Sequence, residues 1–287
     1  MNMTDRFAVL ILAAGLSSRM GCFKPLLPLA NSSVVRTAIA GCLEARIRNI
    51  VVVTGHRRSE LLAEISNLPV QTVHNECYRG GMFSSVLTGV RALPADIQAF
   101  YLLPGDMPLV QPSTYTALAR AFKPGLGVIY PEWQGRRGHP PLITASCIPE
   151  LLKWHGEGGL RCFLQQYAQR SATISVGDPG ILLDMDTPTD YQRLQEYARE
   201  AKEANMRNQQ INCSISNCHY WEKGNICQAS AILVTSDTMA QSLPEAMGAA
   251  TATQVAQSPV SKRNESCCQT FVERAAYQAR QDGVQRL

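Results

Sequence analysis

The pattern of apolar and polar positions along the first two hundred residues switches repeatedly between two periods. The run "FAVLILAAGL" (7–16) opens as a continuous apolar stretch suited to a buried strand. "VVRTAIAGCL" then spaces Val34, Val35, Ala38, Ile39, Cys42 and Leu43 at helical intervals, and "IVVV" (50–53) reads as a second short buried strand. A helix over 59–67, the strand "VQTV" (70–73), a helix over 82–93 carrying Val86, Leu87, Val90 and Leu93, and the strand "AFYLL" (99–103) follow. A helix near 112–122 and the strand "GVIY" (127–130) continue the series. Strands separated by helices predict an α/β fold, a Rossmann-like, mostly parallel sheet with helices on both faces. Ligands in such sheets gather at the carboxyl ends of the strands. That rule singles out "AAGLSSRMGCFK" (13–24) and "PGDMP" (104–108).

Composition narrows the classes. At 287 residues the chain can bury one large core and carry a small appendage. No apolar run approaches the roughly 18 residues of a membrane span, and the net charge of +4 is too mild to argue for a nucleic-acid surface. The expectation is a soluble, cytoplasmic protein with neither membrane nor nucleic acid as partner; the charge is compatible with an anionic small-molecule substrate and says no more. A secretory leader is the competing reading of "FAVLILAAGL", with Arg6 as its positive end; Asp5 offsets that charge, and a second apolar patch, "PLLPL", follows.

The ten cysteines divide the chain. Cys22, Cys42, Cys77, Cys147 and Cys162 are scattered without ligand-like spacing, as buried small hydrophobes are. Cys213, Cys218, Cys227, Cys267 and Cys268 crowd the end. "YAREAKEANMRNQQIN" between the two sets is helix-forming and then polar. The expected organisation is a large α/β domain over 1–200, a linker over 201–210, a Cys-rich module over 211–273 and a tail over 274–287. Within the module, about 235–264 reads as a flexible insertion rich in Ala, Ser, Thr and Gln.

The first loop has neither the spacing of a P-loop nor that of a dinucleotide site. Its Arg19 and Lys24, beside a strand-end Asp106, are the combination needed when a magnesium ion bridges phosphates. "LAAGLSSRMGCFKPLLPL" resembles the signature L-A-[AG]-G-x-S-x-R-M-G-x-x-K-x-L of the MobA-like nucleotidyltransferases. "NECYRGGMFSSVLTGV", "YLLPGDMPLV", "GRRGHPPLI" and "ILLDMDTPTDYQRL" resemble the molybdenum cofactor cytidylyltransferase branch, in its order. This resemblance spans about residues 7–196 and implies the nucleotide-diphospho-sugar transferase type of fold. It makes the first loop the wrapping of a nucleoside triphosphate rather than a leader.

The resemblance assigns roles. Leu12, Ala13, Ala14, Gly15, Ser17, Ser18, Arg19, Met20, Gly21, Lys24, Thr54, His74 and Asn75 would bind the nucleotide, with Arg19, Lys24 and Asp106 catalytic. Mg2+ would be held by Asp106 with Asp186 or Asp184. A molybdopterin-type phosphate acceptor would meet Gly80, Gly81, Met82, Ser84, Ser85, Arg137, Gly138, His139 and Pro140. Ala14 in "LAAG" favours CTP, since members with "LAGG" transfer guanylyl groups. A molybdoenzyme or its maturation chaperone is the implied protein partner. "GEGG" (156–159) departs from the "GDxG" usual in the branch, and Glu157 lengthens the arm there. The alternatives are a GTP-using or other small-phosphate nucleotidyltransferase, or a scaffold that binds nucleotide without catalysis. The tail, C-x4-C-x8-C with a later Cys before Thr-Phe, resembles the Cys-rich domain DUF1540. Four thiols in a reducing compartment suit zinc or iron, with Cys213, Cys218, Cys227 and one of Cys267 or Cys268 as ligands.

Overall fold

The computed structural model describes residues 6–17, 20–155, 158–207, 211–229, 232–242 and 266–268, without the side chains of 202–207, 237, 240 and 266–268. Two compact units divide between Glu203 and Ala204. The first contains the α/β sheet. Its strands are β1 (Phe7–Ala13), β2 (Asn49–Thr54), β3 (Gln71–His74), β4 (Ala99–Pro104), β5 (Val128–Trp133), β6 (Leu142–Thr144) and β7 (Ser171–Ser175). They lie in the order β7-β5-β6-β4-β1-β2-β3, with Arg136–Arg137 adding a short strand on β5. The pairs β1·β2, β1·β4, β2·β3 and β5·β7 are parallel, and β6 runs antiparallel to both β4 and β5.

Both faces of β1 are covered, which is why its sequence is uninterruptedly apolar rather than alternating. Phe7, Val9, Ile11 and Ala13 point into one core, packed with residues of α1 (Val34–Glu44), α2 (Arg58–Ile65) and α4 (Pro112–Ala121). Ala8 and Leu10 point into the other, with α3 (Met82–Arg91), α5 (Ile148–Leu152) and α6 (Gly159–Gln165). The long helix α7 (Pro188–Arg207) adds Leu194 and Ala198 to a third cluster with Leu29, Val34 and Met185. Burying strand methyls on both sides at roughly 25 cal/mol per Å2 is what holds the sheet as the rigid base of the site.

The register brings four strand ends to one edge: Ala13 pairs with Thr54, Thr54 with His74, and Leu12 with Pro104. The chain winds one way through β1, β2 and β3 and the other way from β4 onward, so the winding reverses between β1 and β4. Loops leaving these ends therefore splay apart over a crevice.

In the second unit Ile211–Asn212, Trp221–Glu222 and Ile226–Cys227 form a three-stranded antiparallel sheet with Ile226–Cys227 at its centre. Val234–Ser236 pairs with Ser266–Cys268. No helix among the described residues is long and apolar enough to cross a membrane.

Candidate active site

The loop after β1 is folded on itself by Ser17, whose backbone is left-handed at φ 55°. Its carbonyl accepts from Met20 N–H at 3.1 Å and its hydroxyl from Lys24 N–H at 3.1 Å. This turn starts Lys24 back toward the sheet edge. Two glycines let neighbouring loops close on the first: a Cβ on Gly105 would lie 2.6 Å from the Leu12 carbonyl, which instead accepts the Gly105 N–H at 2.9 Å. A Cβ on Gly55 would stand 2.7 Å from the Ala14 carbonyl and 2.7 Å from Tyr78 Cβ. Ala14 is buried against Gly55 and is one of the residues lining the crevice.

Lys24 Nζ donates to Asp106 Oδ2 at 3.1 Å and to Asp186 Oδ1 at 2.8 Å, joining residues 82 and 162 positions away in sequence. Burial works against the ammonium charge, but the hydrogen bonds and charges of Asp186 and Asp106 outweigh it and hold the Lys24 pKa above its ordinary value. Asp184 lies outside this pair of contacts. Its carboxyl is pushed up by burial and by the negative charges of Asp106, Asp186 and Asp190. Asp186 is delivered by the start of α7, where Thr187 accepts from Asp190 N–H at 3.2 Å and donates its own N–H to Asp190 Oδ2 at 2.8 Å. That reciprocal cap is the reason the segment "DTPTD" begins a helix here.

Lys24, Asp106 and Asp186, but not Asp184, line a cleft of about 430 Å3 together with Leu12, Ala13, Gly15 and Ser17. A second cleft, about 640 Å3, adjoins it and is lined by Arg137, Gly138, His139, Tyr130, Arg161 and Gln165. Leu12, Met82 and Pro104 belong to both walls. In the second cleft Arg137 lies over the Tyr130 ring at 5.0 Å. Burial lowers the pKa of His139 against a Leu102 backbone hydrogen bond and the charges of Asp106 and Asp184, which raise it. Its Nδ1 is buried without a hydrogen-bond partner among the described residues.

The expected nucleotide residues divide accordingly. Leu12, Ala13, Ala14, Gly15, Ser17 and Lys24 line the first cleft; Met20 and Gly21 lie on the same loop without lining it. Thr54, His74 and Asn75 do not line it either. Thr54 Oγ1 donates to Val73 O and faces His74 Nδ1 at 3.4 Å, while the Asn75 amide donates to Ser84 and Ser85 at 2.9 Å and its oxygen accepts from Cys77 N–H at 3.0 Å. Asn75 thus fixes the 77–85 loop rather than facing the crevice. Ser18, Arg19 and Glu157 lie outside the described residues.

The expected acceptor residues also separate. Gly81, Met82 and Ser85 face the first cleft, and Arg137, Gly138 and His139 the second. Ser84 directs its hydroxyl to Cys77 and Gly81 carbonyls, and Gly80 and Pro140 line neither cleft. Gly55 and Gly105 join the site without having been singled out by the sequence, though each directly follows the last residue of a strand at the ligand edge. Tyr78, Arg79, Tyr130, Arg161 and Gln165 join it too, and carry no spacing signal.

In the second unit Cys218 is buried, and Cys213 and Cys227 are half-buried. Among the described residues no three His, Cys, Asp or Glu side chains converge as a metal site. The backbones of Cys267 and Cys268 pair with Thr235 and Val234, and their side chains lie outside the described residues.

Two family models match the chain: the MobA-like NTP transferase domain over residues 9–171, and the Domain of Unknown Function DUF1540 over residues 211–271. The molybdenum cofactor cytidylyltransferase of Escherichia coli (strain K12) is 32% identical over 183 residues, covering 63% of this chain and 92% of that protein. The Bacillus subtilis (strain 168) protein YtzL is 57% identical over 30 residues, 10% of this chain and 58% of its own. Among solved structures, a nucleotidyl transferase from Methanothermobacter thermautotroptrophicus superposes with a TM-score of 0.61 at 25% identity, covering 68% of this chain and 98% of that one.

Proposed function

Because the chain belongs to the MobA-like NTP transferase family and is a nucleotidyltransferase, we propose that it transfers CMP from CTP, with Mg2+, to the phosphate of a molybdopterin-type acceptor. The observation that carries this reading is the pair of clefts meeting across Leu12, Met82 and Pro104, with Lys24, Asp106 and Asp186 on one side and Arg137 and His139 on the other. A donor in the first cleft and an acceptor in the second would face each other across that boundary. An acceptor phosphate oxygen supplies the electron pair of the new bond to the α-phosphorus. The bond from the α-phosphorus to the bridging oxygen breaks, and its electrons leave on pyrophosphate.

Such a reaction demands positioning and charge neutralisation more than proton transfer. Carboxylate oxygens of Asp106 and Asp186 converge on one cationic atom, Lys24 Nζ, so this pair fits a small hard cation. Asp106 and Asp186 would hold Mg2+, which when bound supplies positive charge to phosphate oxygens. Lys24 keeps a second positive charge beside them, while the tightly turned Ala14–Ser17 segment shapes the donor end.

Base choice rests on Ala14, which lines the first cleft and whose methyl, in place of a glycine hydrogen, would leave less room for a purine. Turnover with each of the four triphosphates, followed by pyrophosphate release, should favour CTP over GTP, and Ala14→Gly should shift the ratio toward GTP. Equal use of both by the unaltered chain would remove the cytidylyl assignment.

A further inference from the structure

We propose that Arg79 is a triphosphate-binding residue on the donor side, a role that rests on the nucleotidyltransferase reading above. Among the described residues the first cleft is lined by two cations, Lys24 and Arg79. Lys24 is already shared between Asp106 and Asp186. Arg79 makes no ion pair among the described residues; its guanidinium lies over the Tyr78 ring, 5.7 Å from the centroid, and Tyr78 itself lines the cleft. An entering triphosphate therefore meets in Arg79 a cation whose donors are not committed to a carboxylate. Guanidinium geometry suits paired contacts to phosphate oxygens.

The backbone beneath Arg79 is tightly fixed. Gly80 N–H donates to Cys77 O at 2.8 Å, Asn75 Oδ1 accepts from Cys77 N–H, and Ser84 Oγ donates to Cys77 O at 2.9 Å. Asn75 is 2% exposed, so a buried amide holds an exposed arginine at the cleft wall. Such anchoring reduces the ordering needed on binding to the side chain alone.

The same loop could have served the acceptor, but the lining separates the two roles. Arg79 lines the first cleft and not the second, where Arg137 and Arg161 supply the cations. The contact we assign is therefore to the donor's phosphates, retained on the pyrophosphate as it leaves.

The test is equilibrium binding of CTP–Mg2+, and separately of inorganic pyrophosphate–Mg2+, to the full-length protein without acceptor, combined with steady-state KM values for CTP and molybdopterin. Arg79→Ala should weaken binding of both anions by about tenfold or more, near 1.4 kcal/mol, and leave the acceptor KM unchanged. Arg79→Lys should recover part of the loss, because the charge returns without the paired geometry. Arg79→Met, which keeps an apolar stem over Tyr78, serves as the uncharged variant should the alanine protein fold poorly. The loss should shrink as salt is raised. Unchanged CTP and pyrophosphate binding in the uncharged variants would overturn the assignment, as would a rise in acceptor KM alone. Failure of the unaltered protein to bind any of the four triphosphates would instead remove the nucleotidyltransferase reading, and Arg79's role with it.

Discussion

Lys24, Asp106 and Asp186 come from three distant parts of the chain and meet within hydrogen-bond distance, so the site is a product of the fold rather than of any one motif. Removing one member distinguishes catalysis from stability. Asp106→Ala leaves Lys24 paired with Asp186 at 2.8 Å, so no buried charge is orphaned and thermal unfolding should change little. Activity should fall by more than about tenfold, a barrier increase above roughly 1.4 kcal/mol. A folded variant that retains more than a tenth of the unaltered rate would show that Asp106 is not central. Lys24 and Asp106 were legible from loop position and residue type. Arg79 was not, because "YRGGMFSS" reads first as glycines and hydroxyls, and nothing local shows that its arginine lacks a carboxylate partner. Asn75, given to the nucleotide by the resemblance, directs its amide to Ser84 and Ser85, partners that no local pattern shows.

The strands and helices with strong periodicity were readable, with ends shifted by at most three residues: the helix expected over 59–67 is Arg58–Ile65, and that expected over 82–93 is Met82–Arg91. β6 escaped because three residues behind two prolines carry no period, although it pairs antiparallel with both β4 and β5 and so joins the two halves of the sheet. The segment leading to Asp186 is held by Asp178, which is 1% exposed. Its carboxylate accepts from Gln111 N–H at 2.8 Å, Thr114 Oγ1 at 2.7 Å and Gly180 N–H at 2.8 Å. Two of these partners lie more than sixty positions away, beyond the reach of pattern reading. Asp178→Ala strands buried donors at the start of α4 and should cost about 3 kcal/mol. Urea unfolding should show this as a lower midpoint at unchanged slope, with Asp178→Asn recovering part. A loss below about 0.5 kcal/mol would show that the segment is held by other contacts.

On the scale of the whole molecule, residues matching the NTP transferase model fall within the unit ending at Glu203, and those matching DUF1540 within the unit beginning at Ala204. The first unit's architecture was legible because a buried parallel sheet writes itself as separated apolar runs. The second unit's strands are two or three residues long, too short to leave a period, so its cysteines were the only sequence signal. If the two clefts hold a nucleotide donor and a phosphate acceptor across one reacting bond, labelled phosphorus must divide between them. With the full-length protein, Mg2+, molybdopterin and CTP labelled in turn at the α- and γ-phosphates, the α-label should move onto the acceptor in equal amount to the γ-label released as pyrophosphate. Recovery of the α-label as free CMP, or transfer of the γ-label to the acceptor, would rule out this arrangement.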